Sequence, residues 1–179
     1  MNFSIRLVHI FVFALLSCVS VQAAEPALPK QGTFSADIGV FWIGKNYTMA
    51  ETHTYWIGDA KGVILNRSGK GFLHQASVLF PAAADVIGDA VDLSGYAIAT
   101  DKDGDKVFLR LSLKTTSGGA AKGVVEGTQG SVHIIGGTGK YKGISGKIEA
   151  SYRDLSLRES GIVAEGEGLH HWQGEWKLP

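Results

Sequence analysis

Glycine recurs at short intervals, 24 times in 179 residues, and between glycines apolar and polar side chains tend to alternate. Alternation is the period of a strand, whose successive side chains point to opposite faces, and no helical period of comparable length competes with it. Lys106 to Leu113 shows the pattern best. Val107, Leu109, Leu111 and Leu113 fall on one face, and Phe108, Arg110 and Ser112 on the other. Tyr96 to Thr100 precedes it across Asp101-Lys102-Asp103-Gly104-Asp105. The two runs read as a hairpin, because Asp-Gly tolerates the positive φ that a tight turn requires.

The same reading places strands at Thr33 to Trp42 and at Glu51 to Ile57. A turn at Gly58 to Gly62 then leads to Val63 to Asn66. Gly71 to Phe80 is predicted as a further strand, with Phe72, His74, Ala76, Val78 and Phe80 on one face. Gly123 to Gly127, Ser131 to Ile135, Gly146 to Arg153, Gly161 to Gly166 and Leu169 to Trp176 complete the set. Pro81 to Val91, with Ala82-Ala83-Ala84 inside it, is expected to be a loop or a short helix. Gly136-Gly137-Thr138-Gly139-Lys140-Tyr141 reads as a hairpin corner with Tyr141 and Ile144 packed beneath it. Roughly eight to ten strands with evenly spaced turns predict an all-β, antiparallel sandwich or closed barrel, closure being the way to remove exposed edges.

The first residues follow different rules. Arg6 precedes a mostly apolar run from Leu7 to Val21, and small residues at Val21, Ala23 and Ala24 suit signal peptidase. The expected organisation is a signal peptide over 1–23, a flexible arm over 24–31 and a barrel domain over 32–179, placing the working protein in the periplasm or outside the cell. Two competing readings are an uncleaved anchor, for which the run is short, and lipidation at Cys18, where Leu16 is bulkier than that signal prefers. Cleavage after Ala23 removes Cys18, the only cysteine, and with it any disulfide or thiol nucleophile. It also leaves 16 basic residues against 17 acidic ones, a balance that argues against a nucleic-acid groove or a polybasic membrane patch. No membrane span is expected after cleavage.

The motifs that suggest chemistry have better structural readings. Asp101 to Asp105 alternates carboxylates as a calcium loop does, but glycine stands fourth rather than sixth and Ser112 occupies the place of the bidentate Glu. The glycine corner at Gly136 has no Gly-Lys-Ser/Thr ending to cradle a phosphate. His53, His74, His133, His170 and His171 form no helical metal pair, so neither a metal nor a cofactor is assigned. His170 and His171 are adjacent on one strand and must face opposite ways, so at most one can line a cavity. No serine lies in Gly-x-Ser-x-Gly, and Glu165 and Glu167, flanked by glycines, read as solvated rather than as a glycosidase pair. Asn46 and Asn66 begin sequons that matter only in a eukaryotic secretory route.

Asp101 to Phe108, followed about thirty residues later by Gly136 to Gly146 and accompanied by Gly71-Phe72-Leu73-His74-Gln75, resembles exported bacterial proteins of the allene oxide cyclase and dirigent-like barrel group. The resemblance implies an eight-stranded antiparallel barrel with an apolar cavity. Members of that group steer a flexible substrate by holding it in one conformation, in ring closure of a fatty-acid epoxide or coupling of phenolic radicals. No functional residue of the group matches position by position. From the residues themselves, two functions stand side by side. The first is binding of a small hydrophobic or aromatic molecule, extending to its cyclisation or isomerisation, with Tyr55, His74, Tyr96, Arg110 and Tyr152 as polar groups of the site. The second is a structural or interaction protein of the envelope, forming homo-oligomers through its wall. Exposed Phe41, Trp42, Trp56 or Trp172 beside a filled interior would favour the second, and an open cavity the first. A carbohydrate-binding row of tryptophans is not established by their positions.

Overall fold

The computed structural model describes residues 28–115, 127–160 and 162–179. The expected signal peptide, the first half of the arm, all but the last residue of the strand expected over Gly123 to Gly127, and Gly161 lie outside the described residues. Eight strands follow one another in chain order: β1 (Gln31–Ala50), β2 (His53–Asn66), β3 (Ser77–Ile87), β4 (Ala90–Thr100), β5 (Lys106–Thr115), β6 (Thr128–Gly137), β7 (Ser145–Ser160) and β8 (Val163–Lys177). Each pairs antiparallel with its sequence neighbours, and β8 returns to β1, closing an eight-stranded barrel. A single 3-10 turn, Gly139–Tyr141, is the one helical element among the described residues.

Inward positions alternate with outward ones along every strand. Phe34, Ala36, Ile38, Val40 and Trp42 point in from β1, Val107, Leu109, Leu111 and Leu113 from β5, and Trp172 and Trp176 from β8. Lys61, Arg110, His133, Lys147, Glu149 and Glu167 stand outside. No described helix is long and apolar enough to cross a membrane.

Several predicted boundaries change, for reasons that lie in closure. The expected turn at Gly58 to Gly62 is the middle of β2, which pairs without a break with β1 from Thr54 to Asn66. Gly58 and Gly62 are there because neighbouring backbone comes too close for a side chain, a Cβ at either standing 2.2 Å from a β1 carbonyl oxygen. Gly166 and Gly168 likewise lie inside one continuous β8. Pro81 to Ala84 is strand, not loop or helix, because β3 is fastened between β2 and β4. Proline has no N–H for a ladder, and the β3–β4 pairing lapses at Phe80 and Pro81 before resuming at Ala82↔Gly95.

The segment Gly71 to Ala76 is not strand. After β2 the chain makes a compact loop in which Asn66 Nδ2 donates to the Phe72 carbonyl at 3.1 Å, while Leu73 and Gln75 adopt φ values of 54° and 61°. Two non-glycine residues in the left-handed region drive Phe72 and Leu73 into the barrel end, where they are 4% and 1% exposed. Phe72 stacks on Trp176 at 4.7 Å and meets Phe34 edge-on at 5.3 Å and Tyr141 at 5.9 Å. The two expected corners stand as read: Asp101 Oδ1 accepts from the Asp103 and Asp105 amides, and Tyr141 and Ile144 are buried beneath the glycine corner. Lys140 ties the corners together, with Nζ 2.7 Å from Asp101 Oδ2 and 2.6 Å from Asp103 Oδ2. This end of the barrel, which also receives both ends of the described chain, is filled.

Candidate functional site

The opposite half is hollow. Its inward positions carry small residues, Ala60 on β2, Ala82 and Ala84 on β3, and Ala164 on β8, where the filled half carries Phe34, Trp172 and Trp176. Alanines on these three strands leave a cavity of about 220 Å³, bounded below by Phe80 and His170 and reaching half-exposed Asn46, Val86 and Val91. An apolar cavity of about 150 Å³ holds benzene, so this one accommodates a ring with substituents.

Aromatic rings form the walls. Trp42 of β1 and Trp56 of β2 meet at 5.7 Å and 87°, and Trp56 occupies space that only glycine leaves: a Cβ at Gly44 would stand 2.4 Å from its indole. Tyr152 of β7 lies across Gly168 of β8 for the same reason, a Cβ there falling 2.4 Å from the ring. His170 is enclosed between Phe80, stacked at 5.1 Å, and Tyr152, at 4.6 Å.

The polar groups converge on one carboxylate. Tyr152 Oη donates to Asp154 Oδ1 in a short hydrogen bond, and Trp42 Nε1 donates to the same oxygen at 3.2 Å. Burial raises the Asp154 pKa above the ordinary carboxylate value, the bonds from Tyr152 and Trp42 opposing it. Burial, with the Asp154 charge and hydrogen bond added, raises Tyr152 far above an ordinary phenol and keeps it a donor. His170 is lowered to about 3 by burial, so its imidazole is neutral. Its Nδ1, Thr128 Oγ1 and Trp56 Nε1 are buried without a hydrogen-bond partner. A bulge between Asp154 and Ser156 interrupts the β7–β8 register just beyond the carboxylate, a common place for a sheet to re-aim a side chain at a site.

Of the five residues predicted to supply the site, the structure brings one, Tyr152, to the cavity. Tyr55 is on the outer face of β2, paired with Tyr47 and Asp85. Tyr96 and Arg110 pair with each other on the outer wall of β4 and β5, both facing water. His74 belongs to the loop that plugs the filled end, its Nδ1 buried without a partner. The opposed faces of the histidine pair are seen directly: His170 looks inward, while His171 stands outside with Nδ1 3.0 Å from Asp37 Oδ1, an oxygen that also accepts from Arg67 at 2.9 Å. Asp154, Trp42, Trp56 and Thr128 are the site residues that the sequence reading did not select. A signal for Asp154 was present, since it shares its parity with Ile148, Ala150 and Tyr152 and so is an acid on an apolar face.

No protein-family model matches the chain, and no curated protein matches it. Among solved structures, that of a pterocarpan synthase dirigent protein is similar at 10% identity and a TM-score of 0.41, over 84% of this chain and 87% of that one. The eight-stranded antiparallel barrel is established by this chain's own strand pairing.

Proposed function

We propose that the barrel is an exported binding protein for a small hydrophobic or aromatic molecule held in the hollow half, and that confinement there steers the molecule's cyclisation or isomerisation. The observation that carries the reading is the contrast between the two ends. One is packed with aromatic side chains, while the other keeps alanines around a cavity of about 220 Å³ edged by Tyr152, Asp154 and Trp42. Apolar walls with a few convergent polar groups are the usual construction of a small-molecule site. A flexible molecule pressed between Trp42, Trp56 and Tyr152 loses most of its conformers, which is the larger part of what steering a ring closure requires. The Tyr152–Asp154 pair offers a proton donor and acceptor beside it.

Export rests on the apolar run from Leu7 to Val21 and the small residues before Ala24. The envelope-protein alternative draws on Phe41, 49% exposed on the outer wall, but Trp42, Trp56 and Trp172 point inward and the interior is not filled. Native mass spectrometry of protein isolated from its own host is expected to show a retained organic mass and a chain beginning at Ala24. A protein that is always empty, and whose tryptophan fluorescence responds to no small aromatic probe, would overturn the binding reading.

A further inference from the structure

We infer that the molecule this cavity selects is an organic cation, an amine or quaternary ammonium group carried on a small apolar body. The inference rests on the hollow half being the binding site, and it adds the charge of the occupant. Asp154 is the one carboxylate lining the cavity among the described residues, and a cation placed beside it favours the ionised form against the burial that raises its pKa. Among the described residues no lysine or arginine lines it, and His170, held neutral by burial, supplies no positive charge. The two hydrogen bonds that Asp154 receives both end on Oδ1, and Oδ2 takes none among the described residues. One carboxylate oxygen is therefore free to meet a ligand.

The rings nearest that carboxylate suit the same charge. Trp42 and Trp56 stand at 87° to each other and both line the cavity, Trp42 bonded directly to Asp154. The face of an aromatic ring is the negative end of its quadrupole, and a cation within about 6 Å of it is attracted most strongly where water is excluded. Alkylammonium groups hold their hydration weakly compared with bare ions, so two indoles and a carboxylate compensate their desolvation. An anion placed here would face Asp154 with no counter-ion from the wall. A neutral hydrocarbon would fill the space but leave Oδ2 without a partner.

The test compares two probes of nearly equal shape, phenyltrimethylammonium and tert-butylbenzene, each titrated to its solubility limit into the purified protein and read by tryptophan fluorescence. The cation is expected to bind at least about tenfold more tightly than the neutral isostere, a difference of about 1.4 kcal/mol. In Asp154→Asn that ratio is expected to fall to about threefold or less. Equal or tighter binding of tert-butylbenzene by the parent overturns the cation inference and leaves the cavity as a neutral hydrophobic site. Retention of the full ratio in Asp154→Asn overturns the part assigned to the carboxylate. Failure of both probes to bind the parent overturns the cavity reading itself, and because the decisive comparison is made on the parent, it stands even where the variant does not fold.

Discussion

His170 is an imidazole with an aromatic ring on either face and Nδ1 without a partner, at the floor of the hollow half. Its neutrality ties stability to pH, and the sign follows from where each state takes up a proton. The unfolded chain protonates this histidine near its ordinary value of 6.5, whereas the folded chain resists until about 3. Unfolded molecules therefore bind more protons across that window, and the contribution to stability, complete above pH 6.5, is lost as the pH falls toward 3. Between pH 6.5 and 4.5 the loss amounts to about 2–3 kcal/mol. His170→Phe keeps the stacking and removes the proton site. Urea denaturation at the two pH values is expected to show a drop smaller by about that amount in the variant, and equal drops would mean that His170 is not held neutral. The sequence revealed that His170 and His171 face opposite ways. It did not reveal which faces inward, because that depends on Phe80 and Tyr152 arriving from other strands.

Among the elements, the β4–β5 turn shows how much a short sequence specifies when its partners are local. Asp101 Oδ1 accepts the Asp103 and Asp105 amides at 2.9 and 3.0 Å, so the turn closes on its own side chain. Burial raises the Asp101 carboxyl, but hydrogen bonds from Lys140, Tyr141 and the Asp103 backbone outweigh it and hold the group below the usual carboxylate range. Asp101→Ala removes both functions at once, the turn and its tie to the glycine corner. It is expected to cost about 2 kcal/mol in chemical denaturation, and Asp103→Ala, whose residue is more exposed and accepts no backbone amide in this turn, considerably less. The β2–β3 connection is the contrary case. Leu73 and Gln75 sit at positive φ without being glycine, so propensity argues against the conformation, and in the sequence the alternation of a strand runs on from Phe72 to Phe80. Burial of Phe72 against Trp176, Phe34 and Tyr141 outweighs the local cost, and all three partners are remote in sequence.

For the whole molecule the decisive feature is the uneven filling of the barrel, and it can be reversed by substitution. Ala82→Trp places an indole in the hollow half from a half-buried position on β3. It is expected to weaken binding of any small aromatic probe at least about tenfold while lowering stability by no more than about 1–3 kcal/mol, the cost of overpacking. Isothermal titration alongside thermal unfolding separates the two effects. Alternating side chains and the Asp-Gly and glycine-corner turns were enough, from sequence alone, to specify antiparallel strands, several hairpins and the prospect of closure, because each depends on residues within one strand or one turn. Tertiary structure decided which parity faces inward, that Gly58, Gly62 and Pro81 interrupt no strand, and that Asp154 rather than Arg110 edges the site. A period of two leaves the sign of each face open, and only closure of β8 onto β1 fixes it. The cavity, likewise, is a sum of side-chain volumes contributed by eight strands, and no local stretch of sequence contains that sum.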